Sequence, residues 1–220
     1  MERHLDAELN GLKAKVLRMA DVVEFQLQNT LQALTARDAS LAMQVIENDR
    51  SVDTLGVEID GDSLHLLARY HPTAGDLRLI TTVMKIAGEL ERMSDLAGNI
   101  AERTIELNDE PQLKPYIDIP TMADRTSRMV RESLDAFVNR DADLARKVCR
   151  DDEPIDELTE QLFRELLSFM LEDPRTVTRA TRLSFIGKYY ERIADHATNI
   201  GELVVYMVEG KIIRHMAVEQ

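Results

Sequence analysis

The 220-residue chain carries 40 acidic and 27 basic side chains, for a net charge of −13, and only 5% of its residues are aromatic. One cysteine excludes an intramolecular disulfide and a cysteine-rich metal site, and the acidic balance argues against nonspecific nucleic-acid binding. We expect no membrane span, because no apolar run reaches about 18 residues, and no signal peptide. An acidic surface instead suits metal ions or basic protein patches.

The low glycine, proline and aromatic content favours helices over sheets. Apolar residues recur at three- and four-residue spacing between short polar or proline-containing junctions. This pattern predicts helices, in chain order, over residues 4–36, 39–69, 75–107, 117–139, 141–171 and 175–209. Pro154 is interpreted as a first-turn proline, where a missing N–H is tolerated. The short connections predict that sequential helices are antiparallel neighbours.

The two halves of the chain repeat each other. Seven of twelve residues are identical between 91–102 and 191–202, at an offset of 100. Upstream, residues 37–55 align with 140–158 at an offset of 103, so one connection is shorter in the second half. The sequence therefore predicts an all-α fold of two tandem, pseudo-symmetric three-helix bundles, over residues 1–110 and 111–220.

Acidic residues follow two patterns that occur once in each half. Asp-x3-Asp occurs as Asp49/Asp53 and Asp152/Asp156, and Glu-x3-Asp-x3-Asn occurs as Glu91/Asp95/Asn99 and Glu191/Asp195/Asn199. Residues four apart share a helix face, so each pattern forms a stripe of oxygen ligands. Glu102 and Glu202 extend the second pattern.

An antiparallel hairpin brings the two stripes of each half to the same level. If the first hairpin turns near Pro72, Asp53 lies level with Glu91, and Asp49 lies level with Asp95. The same arithmetic about the turn at residues 173–174 pairs Asp156 with Glu191 and Asp152 with Asp195. The sequence thus predicts two clusters of four carboxylates, one in each half.

The predicted role of these clusters is metal binding. The candidate ligands are Asp49, Asp53, Glu91, Asp95, Asn99, Asp152, Asp156, Glu191, Asp195 and Asn199. Such oxygen ligands suit Mg²⁺, Mn²⁺ or Ca²⁺, iron is a further candidate, and zinc usually takes more nitrogen or sulfur. The identity stays open among Mg, Mn, Fe and Zn. The alternative is a solvated acidic stripe, because like charges four apart cost a helix only about 0.2–0.5 kcal/mol per pair.

Other residues favour less specific interpretations. A di-iron oxidase would carry histidine three residues after a ligating glutamate, and Ser94 and Ala194 stand there instead. His196 is a candidate supplementary ligand, although one residue's step from Asp195 turns it about 100° away from the stripe. Cys149 aligns with an apolar position and is expected to be a buried structural thiol.

The repeated segments 91–102 and 191–202, the Ala-Gly-Asp-Leu-Arg sequence at 74–78 and the paired Asp-x3-Asp motifs resemble the PhoU family over nearly the whole chain. The resemblance implies a six-helix fold with metal clusters on the bundle surface and no enzymatic activity. It further implies a cytoplasmic adaptor between the ATPase subunit of a phosphate ABC transporter and a sensor histidine kinase.

Such an adaptor restrains phosphate uptake and phosphate-starvation signalling. We expect it to form a homodimer, to be at most peripheral to the inner membrane, and to bind no nucleic acid. The alternative from another class is a metal-dependent hydrolase or oxidase that uses the clustered carboxylates. The sequence offers no general base distinct from the ligands, which disfavours this alternative.

Overall fold

A computed structural model describes residues 4–213, which are helical along almost their whole length. Helices α1–α7 span, in chain order, His4–Ala36, Ala39–Tyr70, Ala74–Asn108, Asp118–Asn139, Ala142–Arg150, Glu153–Glu172 and Val177–Glu209. One turn of 3₁₀ helix, Pro174–Thr176, precedes α7. Residues 4–213 contain no strand. None of the helices described combines the length and the hydropathy that a membrane crossing requires.

The predicted fold class is confirmed, because the helices form two tandem bundles. In the first, α1, α2 and α3 pack on one another, and in the second, α4, α5 and α6 pack on α7. α3 also packs against α7, and α1 against α4, so the bundles share a continuous apolar core. The fully buried Tyr190 of α7 places its hydroxyl 2.8 Å from the Thr30 hydroxyl of α1. Burial raises the pKa of Tyr190, so this phenol stays protonated.

The predicted helix over 141–171 is wrong in one respect, since the structure divides it into α5 and α6. Pro154 lies in the first turn of α6, and it cannot donate a backbone hydrogen bond to residue 150. The Ile155 N–H donates instead to the Asp152 carbonyl at 2.8 Å, which is a tighter turn than the α-helical one. The first half has Ser51 at the matching position, and α2 continues without a break.

Both bundles contain the same helix-to-helix turn, at residues 37–39 and 140–142. Arg37 and Arg140 adopt left-handed backbone conformations, with φ of 55° and 54°. The next N–H donates to a carbonyl five residues earlier, Asp38 to Ala33 and Asp141 to its counterpart in α4, both at 2.9 Å. This is the Schellman pattern. The two aspartates then cap the following helices through their side chains.

Candidate metal centres

The second cluster joins the first turns of α6 to the middle of α7. Burial and then the charges of Asp195, Asp156 and Glu191 raise the pKa of Asp152 to about 7. Burial, followed by the charge of Glu191, also raises the pKa values of Asp156 and Asp195. Neighbouring carboxylates raise one another's pKa because each disfavours the charged form of the next. Asp156 and Glu191 line the same groove between α6 and α7, and Asp195 is the first charge that acts on Asp152, so the two acidic pairs lie at the levels that the hairpin arithmetic predicts.

Two oxygens of this cluster are buried without a hydrogen-bond partner, Asp152 Oδ1 and Glu191 Oε2. The other Glu191 oxygen accepts from Lys188 Nζ at 2.5 Å. A buried anionic oxygen without a donor is costly, and a cation beside it removes that cost. The donor set is all oxygen, which hard divalent cations prefer. The residues of the second cluster therefore fit a metal ion in their chemistry.

The side-chain geometry differs from a finished coordination shell. Within residues 4–213, no three histidine, cysteine, aspartate or glutamate side chains converge on one point as metal ligands would. Like-charged carboxylates repel one another, and the Lys188 ammonium is bonded to Glu191. A metal ion would have to draw the carboxylates together and displace this ammonium. The role of the candidate ligands in metal binding stays a prediction.

The first cluster has the same acids in a different setting. The buried Ser94 hydroxyl of α3 donates to Asp49 Oδ1 of α2 at 2.6 Å. Glu91 Oε2 lies beside Gly56 of α2, 3.8 Å from the position that a Cβ atom on Gly56 would occupy. Asp95 is exposed and pairs with Arg92 at 3.3 Å. These contacts place α2 and α3 in the register that the hairpin arithmetic predicts, with Asp53 exposed on the same stretch of α2.

His196 and Asn199 of α7 both contact a carboxylate of α3 in the other bundle. The His196 Nδ1 and the Asn199 amide nitrogen contact the same oxygen, Glu89 Oε2 of α3, at 2.7 and 3.1 Å. This polar group joins the two bundles. Its members are partly buried. In the first bundle Asn99 is half-buried, and Leu96 stands at the position that matches His196.

Cys149 is partly buried, whereas the sequence predicts a buried thiol. Its thiol donates weakly to the Thr198 carbonyl of α7 at 3.6 Å. Burial raises the pKa of the thiol to about 11, so it stays protonated at neutral pH. The structural role that was predicted for this thiol fits these contacts.

Sequence reasoning missed three residues that shape the clusters, namely Ser94, Lys188 and Glu89. Lys188 was open to detection, since it precedes Glu191 by three residues on one helix. Ser94 lies one residue before Asp95, and its bond to Asp49 depends on how closely α2 and α3 approach. Glu89 meets its partners across the two bundles, and no spacing along the chain indicates that contact.

Comparison with known sequences identifies the family of the chain. The sequence profile of the PhoU domain matches residues 16–104 and 119–204, one match in each half. The chain belongs to the PhoU family. A PhoU homolog of Aquifex aeolicus, named a phosphate-specific transport system accessory protein, is 44% identical over 213 residues, 97% of this chain and 96% of the relative. The PhoU protein of Escherichia coli strain K12, also named as an accessory protein of that system, is 34% identical over 96% of this chain and 88% of its own.

Solved PhoU structures share the fold. The crystal structure of PhoU from Pseudomonas aeruginosa superposes with a TM-score of 0.92 at 38% identity, covering 94% of this chain and all (100%) of that one. PhoU of Streptococcus pneumoniae, titled a phosphate transport system regulatory protein, gives a TM-score of 0.87 at 26% identity over 95% of this chain and 99% of its own. The PhoU fold therefore extends through both bundles.

Proposed function

We propose that the chain is a non-enzymatic regulator of phosphate uptake and of phosphate-starvation signalling. The observation that carries the proposal is family membership over both halves of the chain, with relatives named as accessory or regulatory proteins of phosphate transport. The role that fits is an adaptor, which contacts the ATPase subunit of a phosphate ABC transporter on one side and a sensor histidine kinase on the other. Both contacts place it in the cytoplasm, at the inner membrane face, and we expect a homodimer.

The proposal includes cation binding at the carboxylate clusters. In the second bundle, Asp152, Asp156, Glu191 and Asp195 would hold the ion, and in the first bundle the matching four would do so. The orphaned oxygens of Asp152 and Glu191 support the second cluster as the stronger of the two. The ion would supply positive charge that offsets repulsion among the carboxylates. Candidate ions are Mg²⁺, Mn²⁺, iron and Zn²⁺.

Metal binding is tested by removing one ligand from each cluster. We expect Asp95→Ala combined with Asp195→Ala to lower the metal content of the purified protein, measured by elemental analysis after dialysis against Mn²⁺ or Fe²⁺. The matched control is Asp60→Ala combined with Asp135→Ala, two exposed aspartates outside the clusters. Equal metal content in the double variant and the wild type, with both folded, would contradict the metal assignment.

The adaptor role needs a separate test. The tagged chain is crosslinked in cells grown with ample phosphate, and the membrane fraction is probed for the transporter ATPase and for the kinase. We expect both proteins to be captured, and we expect a deletion strain to express a phosphate-starvation reporter in ample phosphate. Capture of neither protein, together with an unchanged reporter in the deletion strain, would refute the adaptor role whatever the metal content is.

A further inference from the structure

α6 and α7 carry a group of large exposed apolar residues. Phe163, Leu167 and Leu171 lie four residues apart on α6, and Phe185 of α7 lines the same groove as Phe163. Val177, the first residue of α7, is a further exposed apolar residue. All five are between 41% and 77% exposed, and we call them the apolar face. Clustered large apolar side chains on a surface mark an interaction site, unlike apolar residues scattered singly.

A groove of about 410 Å³ lies between α6 and α7 at one end of this face. Its lining combines two aromatic rings, three carboxylates and one ammonium, from Phe163, Phe185, Asp156, Glu160, Glu191 and Lys188. Phe185 is held in place by stacking on Tyr189, with ring centroids 6.1 Å apart. The groove thus joins an apolar floor to the edge of the second carboxylate cluster.

The charge around the groove is negative, because three carboxylates and one ammonium line it. α6 carries six carboxylates, one of them paired with Lys114, and one arginine. That arginine, Arg164, already pairs with Glu160 at 3.7 Å, and Lys188 already pairs with Glu191. The uncompensated charge beside the apolar face is therefore acidic, which selects a partner that brings cationic side chains.

The first bundle lacks this combination. By the repeat offsets, Asp60 stands at the position of Phe163, and Lys85 stands at the position of Phe185. Two aromatic side chains of the second bundle are thus replaced by two charged side chains in the first, although the helices of the two bundles follow the same repeat. The first bundle keeps exposed apolar residues at two matching positions, Leu64 and Leu77, but has no aromatic pair there.

We propose that the apolar face binds an amphipathic helical segment of a partner protein. Its large apolar side chains would fill the groove between Phe163 and Phe185, and its lysine and arginine side chains would face α6 and the cluster edge. The inference deepens the proposed adaptor function by assigning a docking surface. It rests on that function only for the partner's role in the cell.

The test uses a synthetic amphipathic helix of leucine, phenylalanine and lysine, and a second peptide with glutamate in place of each lysine. Binding to the full chain is measured by fluorescence anisotropy in chelator, so that metal binding has no part in it. We expect the lysine peptide to bind and Phe163→Ala with Phe185→Ala to weaken it at least about tenfold. The control, Val57→Ala with Leu64→Ala, removes exposed apolar residues of the first bundle and should leave binding unchanged.

Each result decides the proposal. No binding by the lysine peptide, equal binding by the glutamate peptide, or equal binding by the Phe163/Phe185 variant would overturn it. Circular dichroism checks that each variant is folded. Sedimentation of the wild type and the variant gives the remaining outcome, because a dimer that the double substitution dissociates would make the face a self-association surface instead. This test does not use capture of the transporter. A negative result would therefore overturn the docking surface only, and the crosslinking experiment would still decide the adaptor role.

Discussion

The two carboxylate clusters have the same acids and different neighbours. In the first bundle the Ser94 hydroxyl satisfies Asp49, whereas in the second Ala194 stands in place of that serine and Asp152 Oδ1 is buried without a partner. Lys188 neutralises Glu191, and Gly88 stands at its position in the first bundle. The duplication has therefore kept the charges of a site and altered how each bundle compensates them. The second cluster is the one whose charges repel most in the folded chain.

A close approach of helix backbones also differs between the bundles, and breaking it should give the largest effect. A side chain at Gly201 of α7 would come within 2.8 Å of the Ala145 carbonyl of α5. The first bundle has Ala101 at this position. We expect Gly201→Ala to lower the free energy of unfolding by about 2 kcal/mol, because α5 must move away. Urea denaturation measures it, with Ala101→Gly as the control at about 1 kcal/mol from lost helix propensity.

An unchanged or raised unfolding free energy in Gly201→Ala would show that α5 shifts freely. In that case, the break at Pro154 would leave α5 loosely attached, and the tighter contact in the second bundle would have no energetic significance.

The Ser94 hydroxyl gives the next effect, of about 1.5 kcal/mol. Ser94→Ala removes a hydrogen bond to a partly buried carboxylate, so we expect the free energy of unfolding to fall by that amount. The reciprocal change, Ala194→Ser, offers a hydroxyl to Asp152 and should raise stability by a smaller amount. A double-mutant cycle of Ser94→Ala with Asp49→Ala isolates the bond. Zero coupling in that cycle would contradict the contrast between the clusters.

The sequence predicted most of the fold through patterns that act along one helix. Apolar spacing located every helix except the division of 141–171, and the repeat indicated the two bundles. The sequence identified Pro154 as a first-turn proline but still predicted one helix over 141–171. A proline in a first turn marks the start of a helix, and α6 begins there. The levels of the acids followed from the hairpin turns. The Glu89 contacts with His196 and Asn199 could not follow, since they depend on how two bundles dock.

The difference in charge compensation between the two clusters predicts that the free energy of unfolding depends on pH, by about 1 kcal/mol. Because the pKa of Asp152 rises from 3.8 to about 7 on folding, the native chain binds this proton more tightly, and its contribution to stability is lost as pH rises from about 4 through 7. Asp152→Asn removes that loss. With allowance for solvent screening at this half-exposed site, we expect a gain of about 1 kcal/mol at pH 8 that vanishes near pH 4.

This gain is measured by urea unfolding in chelator, with Asp49→Asn as the matched control, because Asp49 already has the Ser94 hydroxyl as its partner. Adding Mn²⁺ at pH 8 should then stabilise the wild type more than Asp152→Asn. A gain of equal size in both asparagine variants would remove the distinction between the clusters.

The smallest effect concerns the shared helix-to-helix turn. Arg37 and Arg140 have the same left-handed backbone, but the Arg37 guanidinium donates to the carbonyls of Leu107, Asn108 and Glu110, at 2.6–3.1 Å, and so caps the end of α3. Arg140 is exposed, and its charge adds to burial in lowering the pKa of Lys13. Glycine relieves the backbone strain at either position. We therefore expect Arg140→Gly to raise the unfolding free energy by about 0.5 kcal/mol, and Arg37→Gly to lower it, as measured by urea denaturation. The same sign in both variants would show that backbone strain, and not the cap on α3, determines stability at this turn.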